Sequence, residues 1–159
     1  MEVKFYSDQK KEVLNAELFS SHAEEWAKSV CESGLKEKKD KKTGKVKKVL
    51  EKNKSSQIRK FYNEVLKYTK DLKSGEDYKL ILPYMKMLNA KTAYAEGRKL
   101  ITDEFKSFIK LSIGHLTEDK PETLELFASF FEAFMGYYKY YESQYKGSEE
   151  EKDNETDRN

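Results

Sequence analysis

The sequence predicts an all-α fold: a single compact bundle of five to six helices with a Lys-rich loop after the first helix. Three observations predict it. Apolar residues recur every three or four positions along successive stretches. No long alternating run of β-branched residues appears, and nothing repeats at solenoid periods. Helix-ending residues, Gly34, Ser74-Gly75 and Gly147, stand where those stretches close.

Residues 15–32 carry Leu18, Phe19, Ala23, Trp26, Ala27 and Val30 at helical spacing, and Gly34 ends that helix. Between Lys36 and Lys48 stand eight lysines against Glu37 and Asp40, with Thr43-Gly44 as a turn. With almost nothing apolar to bury, this segment is expected to be a mobile basic loop. Ser55 or Ser56 can cap a second helix over residues 56–73, whose apolar face is Ile58, Phe61, Tyr62, Val65, Leu66 and Leu72. A third begins near Glu76, and Pro83 then removes a donor and clashes with the preceding turn, a cost of about 3 kcal/mol, so a break is expected there. Helix resumes to about residue 100. Thr102 can cap the next helix, whose first residues Asp103 and Glu104 suit a positive helix end and whose buried face is Phe105, Phe108, Ile109 and Ile113.

The last helix starts at Pro121-Glu122, and Leu124, Phe127, Phe131, Phe134, Tyr138, Tyr141 and Tyr145 form its stripe. Phe130, Tyr137 and Tyr140 lie outside that stripe, and some of them are expected to meet another subunit. Gly136 in mid-helix costs about 1 kcal/mol relative to alanine, as expected where another helix passes close. Gly147 should end the helix.

The 159 residues suffice for one domain that buries about 70% of its unfolded surface. Charged residues make up 38%, yet 11 Tyr and 9 Phe supply large buried area, so the chain reads as a polar-skinned globule. The bundle is expected over residues 1–147 and a disordered acidic tail over 148–159. A lone cysteine, Cys31, and an N-terminal stretch without an apolar core point to a cytoplasmic protein. No stretch approaches the ~20 apolar residues of a membrane span.

Catalysis has little to stand on. His22 and His115 are the only histidines, Cys31 lies in an apolar-rich helix, and no Gly-rich phosphate loop or metal-ligand spacing is visible. The expectation is a protein without enzymatic activity, cofactor or metal.

Charge is more informative. The net +2 conceals a tail, 148–159, with six acids and two bases, which leaves +6 on residues 1–147. The second helix carries Lys60, Lys67 and Lys70 on its polar face with few acids to pair them, a pattern that favours a polyanion. Arg59 is the residue best suited to a phosphate, because its planar fork makes two charge-assisted bonds, and Lys54 and Lys60 would add point charges. A structural ion pair between Arg59 and Glu64 is the plain alternative. Lys91, Arg98 and Lys99 form a second basic cluster, equally readable as ordinary helix-end cations.

The octet Ser55-Ser56-Gln57-Ile58-Arg59-Lys60-Phe61-Tyr62, with Asn53-Lys54 before it and Asn63-Glu64-Val65 behind, resembles the signature of the small helical subunit of type III-A (Csm) CRISPR-Cas effector complexes. The stretch from Leu82 through Lys91 to Arg98, with its proline, lysine, Ala-Tyr-Ala and arginine, is similar to the same family. So is the Phe127-Ala128-Ser129-Phe130-Phe131-Glu132-Ala133-Phe134 run. Together the three motifs span residues 53–140 in the family's order.

The resemblance implies a non-catalytic subunit present in several copies beside the filament of subunits that carries the guide RNA. It would help hold guide RNA and target RNA paired, binding their backbone without reading bases, and would contact other subunits, copies of itself included. A homodimer in isolation is also open. On this reading the RNA-contacting residues are Lys54, Gln57, Arg59, Lys60 and Lys67 on one face and Lys91, Arg98 and Lys99 on another. The Lys-rich insert and the acidic tail depart from the family's pattern. The reading from another class is a helical adaptor whose basic faces bind an acidic protein.

Overall fold

A computed structural model describes the backbone of residues 1–156 and the side chains of residues 1–145. The predicted acidic tail, 148–159, falls outside the residues whose side chains are described. Among the described residues are five helices: α1 (Ser21–Ser33), α2 (Ser55–Lys73), α3 (Tyr78–Gly97), α4 (Asp103–Ile113) and α5 (Glu122–Thr156). Two strands, β1 (Leu35–Lys39) and β2 (Val46–Leu50), lie between α1 and α2.

The strands correct the all-α expectation and replace the predicted Lys-rich loop with an antiparallel hairpin. Its register pairs Leu35 with Leu50, Glu37 with Lys48 and Lys39 with Val46. The turn is built on Asp40: its Oδ1 accepts from the amides of Lys42 and Thr43 at 2.7 and 3.2 Å, and Gly44 takes the left-handed φ of +70° that the reversal needs. At the open end Leu50 packs on the core, and the amides of Glu51 and Lys52 both donate to the Gly34 carbonyl, at 2.9 and 3.1 Å. Gly34 is required for that approach, since a Cβ there would stand 2.5 Å from the Lys52 carbonyl oxygen. A two-stranded hairpin is marginal in water unless so anchored. Lysines at half of the ten strand positions, with three more in the turn, hide the short apolar set, Leu35, Val46, Val49 and Leu50, that marks the pairing.

Helix α5 is the centre of the molecule, packing on α1 and α2 and touching β2, while α4 fits between α1 and α3. Its faces meet in a run of rings: Phe108 stacks on Phe134 at 4.4 Å, Phe131 on Phe134 at 5.6 Å, and Phe134 on Tyr138 at 5.5 Å. Such pairs add about 0.5–1.5 kcal/mol each beyond burial. Phe130 is fully buried, so of the three rings outside the stripe it is core. Tyr140 is exposed and Tyr137 half-buried. Nothing among the described residues comes within 4 Å of a Cβ at Gly136.

Several boundaries move. Helix α1 starts at Ser21, with Leu18 buried in the preceding turns and Phe19 exposed. Leu66, expected on the buried face of α2, is 40% exposed. Pro83 lies inside an unbroken α3. Both Pro83 and Lys79, whose carbonyl loses its partner, face solvent, where water can replace the missing bond. Helix α5 runs past Gly147, its expected end. Neither expected cap forms: the N-cap of α2 is Lys54, with Ser55 already the first helical residue, and Thr102, at the N-cap of α4, makes no cap bond and accepts from Asn53.

The N-terminal segment, unread in the sequence, closes one end of the core. Phe5 is fully buried between His115, stacked at 4.4 Å, and Phe130, edge-on at 5.6 Å. His115 Nε2 lies 2.8 Å from the Val3 carbonyl, and His22 Nε2 accepts from the Lys4 amide at 3.1 Å.

Candidate nucleic-acid interface

Helices α2 and α3 run antiparallel, and three contacts fix their alignment. The Asn53 amide donates to the Leu100 carbonyl at 3.0 Å, Lys91 Nζ reaches both Glu64 carboxylate oxygens at 2.7 and 2.8 Å, and Tyr68 stacks on Tyr84 at 5.9 Å. The start of α2 therefore lies beside the end of α3. Lys54 and the pair Arg98 and Lys99, more than 40 residues apart in sequence, flank one backbone hydrogen bond.

Asn53 organises this junction. It is fully buried at φ +58°, a left-handed conformation that asparagine tolerates better than most side chains. Its Nδ2 donates to the Val30 carbonyl at 2.9 Å and to Thr102 Oγ1 at 2.7 Å, and its Oδ1 accepts from the Thr102 amide at 2.8 Å. Its carbonyl accepts from the Tyr138 hydroxyl. One residue thus joins α1, the α3–α4 connection and α5 to the entrance of α2. Burial holds the Tyr138 phenol protonated, well above its ordinary range, as this donor role requires.

The end of α3 is a Schellman cap. Lys99 at φ +61° donates its amide to Glu96 at 2.8 Å, and Leu100 donates to Ala95 at 3.0 Å. A lysine holds the seat usually taken by glycine, although Gly97 lies two residues earlier. The Leu100 carbonyl is thereby aimed at Asn53.

The sequence-predicted residues fall as follows. Lys54, Arg59, Lys60 and Lys67 are exposed and Gln57 is half-buried, all on α2 or its entrance. Lys67 Nζ lies 5.1 Å from the Tyr68 ring centroid. Lys91, Arg98 and Lys99 are exposed on α3 and its cap, with the Arg98 guanidinium 5.7 Å from the Tyr94 ring. Glu64 pairs with Lys91 rather than with Arg59. Among the described residues no carboxylate lies within ion-pair distance of Arg59 or Lys60.

Beside Lys54 opens a cavity of about 540 Å³ lined by Lys38, Leu50, Lys54, Ser55, Glu142 and Tyr145. Glu142 is 1% exposed, accepts from Ser55 Oγ and lies 3.8 Å from Lys139 Nζ. Sequence reading missed both Asn53 as a hub and Glu142 as a buried acid, since nothing in spacing separates one asparagine or glutamate from the many others. Burial pushes the Cys31 thiol up to about 12, so at neutral pH it is not a nucleophile. No group of His, Cys, Asp and Glu among the described residues could hold a metal ion.

Residues 35–144, from β1 through most of α5, match the family model of Csm2 Type III-A. The chain belongs to the Csm2 type III-A family. A Csm2 chain is a small structural subunit of a type III-A CRISPR-Cas complex and associates with the other Csm subunits. Neither a search of curated proteins nor one of solved structures returns a match. The matched range holds the hairpin, the Asn53 junction and every predicted site residue. It leaves out α1 and the N-terminal segment, which nonetheless complete the core of this Csm2 chain. No helix is long and apolar enough to cross a membrane among the described residues.

Proposed function

We infer that this subunit binds the backbone of guide RNA and target RNA within the type III-A complex, without base-specific readout and without catalysing a reaction. The observation that carries the reading is the joining of two basic segments at Asn53: Lys54 with the α2 cations on one side, Arg98 and Lys99 on the other. Cations spaced along two antiparallel helices follow a phosphate chain irrespective of sequence, because phosphate contacts position a nucleic acid and base contacts specify it. Arg59 and Lys60 suit this role best, with no carboxylate of the described residues in ion-pair range. Copies of the subunit and the neighbouring Csm subunits would supply the remainder of the groove.

The test is titration of labelled single-stranded RNA, at two salt concentrations, with wild type and Arg59→Ala/Lys60→Ala after both are shown to be folded. Salt-sensitive binding that the double variant loses supports the reading. No wild-type binding at low salt overturns it for the isolated chain and leaves a subunit acting through protein contacts.

A further inference from the structure

Helix α3 carries a solvent-facing stripe whose apolar members the backbone-binding reading does not use. Leu80, Tyr84, Met87, Lys91, Tyr94 and Arg98 fall within an arc of about 80° at 3.6 residues per turn. Leu80 is 64% exposed, Tyr84 53%, Met87 47% and Tyr94 68%. Four large apolar side chains on one face of one helix are a feature in need of an occupant.

The charge around the stripe selects that occupant. Residues 54–99 hold eleven Lys and Arg against five Asp and Glu, a net +6 in a chain whose total is +2. One of the six stripe positions is Lys91, a residue type depleted in the cores of protein interfaces and here paired with Glu64, and Arg98 adds a cation with no carboxylate of the described residues in ion-pair range. The rings also sit against cations and each other: Arg98 lies 5.7 Å from the Tyr94 ring and Lys67 5.1 Å from the Tyr68 ring, while Tyr68 stacks on Tyr84 with 16° between planes. Exposed rings interleaved with cations are the arrangement that holds unpaired nucleotides, because every base has a face to stack and every phosphate a charge to meet.

We propose that the Tyr84–Tyr94 stripe of α3 is a stacking platform for unpaired bases of single-stranded RNA, so that this subunit distinguishes unpaired from fully paired RNA without reading sequence. The proposal rests on the RNA-binding reading above and adds the class of RNA. Tyr84 and Tyr94 are ten residues apart, about 15 Å along the helix, which makes them two separate platforms with Met87 and Lys91 between. A base on Tyr84 would extend the stack begun by Tyr68, and one on Tyr94 would lie across the ring from Arg98.

The experiment compares three labelled probes of equal length: a U-rich single strand, the same strand with abasic riboses, and a fully paired duplex. Each is titrated with wild type, Tyr84→Ala, Tyr94→Ala and Tyr94→Phe, all exposed-site variants whose folding is checked by circular dichroism. Wild type should bind the strand with bases about five- to a hundredfold more tightly than the abasic strand. Each alanine variant should erase part of that margin, Tyr94→Ala should leave abasic binding unchanged, and Tyr94→Phe should keep the margin. Equal wild-type affinity for the strands with and without bases, or alanine variants that match wild type on every probe, overturns the platform while leaving backbone binding intact. Alanine variants that keep RNA affinity but fail to assemble with other complex subunits assign the stripe to a protein partner and also overturn it. Failure of wild type to bind any probe removes the RNA-binding reading itself.

Discussion

The amide of Asn53 donates to the carbonyl of Leu100 at 3.0 Å, and each partner adjoins or occupies a left-handed turn: Asn53 itself at φ +58° and Lys99 at φ +61°. Two sharp reversals of the chain are thus tied together, and the cations next to each are brought to one place.

Asn53→Ala should be among the most damaging single changes. It strips four side-chain bonds, leaves the buried Thr102 amide without its acceptor, and puts a Cβ-bearing residue without compensation at positive φ. A loss of about 2–4 kcal/mol is expected in urea denaturation. Asn53→Gly relieves the backbone conformation and not the missing bonds, so it should recover only part of that loss. Both variants should also weaken RNA binding although neither removes a charge.

Lys99→Gly should separate stability from function. Glycine adopts the left-handed seat of the Schellman cap without the side-chain penalty, which is worth about 1 kcal/mol, so the midpoint of thermal unfolding should rise. The same change deletes a cation from the proposed RNA face, so affinity for RNA should fall. A coupled rise or coupled fall of the two quantities would contradict the assignment.

His22 should make stability depend on pH. Its Nε2 accepts from the Lys4 amide, which only the neutral ring can do, and burial lowers its pKa from the ordinary 6.5, opposed by the charge of Glu25. The unfolded chain therefore binds this proton more readily than the folded one. The contribution is fully present above about pH 6.5 and is lost as pH falls from there through the lower folded value. Melting temperatures between pH 7.5 and 5 should drop more steeply for wild type than for His22→Gln, whose amide oxygen can still accept from Lys4.

The helical framework was legible in the sequence because its periodic faces coincide with the buried ones: Ile58, Phe61 and Val65 on α2, Phe105, Phe108 and Ile109 on α4, Phe127, Phe131 and Phe134 on α5. The hairpin was not, since its lysines outweigh the few apolar residues and its stability comes from Gly34 and Leu50 at its base. Pro83 misled because it and Lys79 lie on the exposed side of α3, where water can take the place of the bond that proline cannot make. The caps misled for other reasons: Lys54, not a serine, holds the N-cap of α2, and Thr102 has the right chemistry but spends it on Asn53. Individual basic residues were readable from composition. Their convergence was not, because it depends on hydrogen bonds between residues 47 positions apart, Asn53 and Leu100.

The two basic segments are proposed to form one RNA surface, and the salt dependence of binding measures that most directly. Affinity for single-stranded RNA would be determined over a range of salt for wild type, for Arg59→Ala/Lys60→Ala and for Arg98→Ala/Lys99→Gly. If both segments meet the same strand, each pair of substitutions should weaken binding and flatten the log–log slope, by about 0.7 for every phosphate that is no longer neutralised. If one pair changes slope and affinity while the other, equally well folded, behaves as wild type, the junction at Asn53 does not build a shared RNA face.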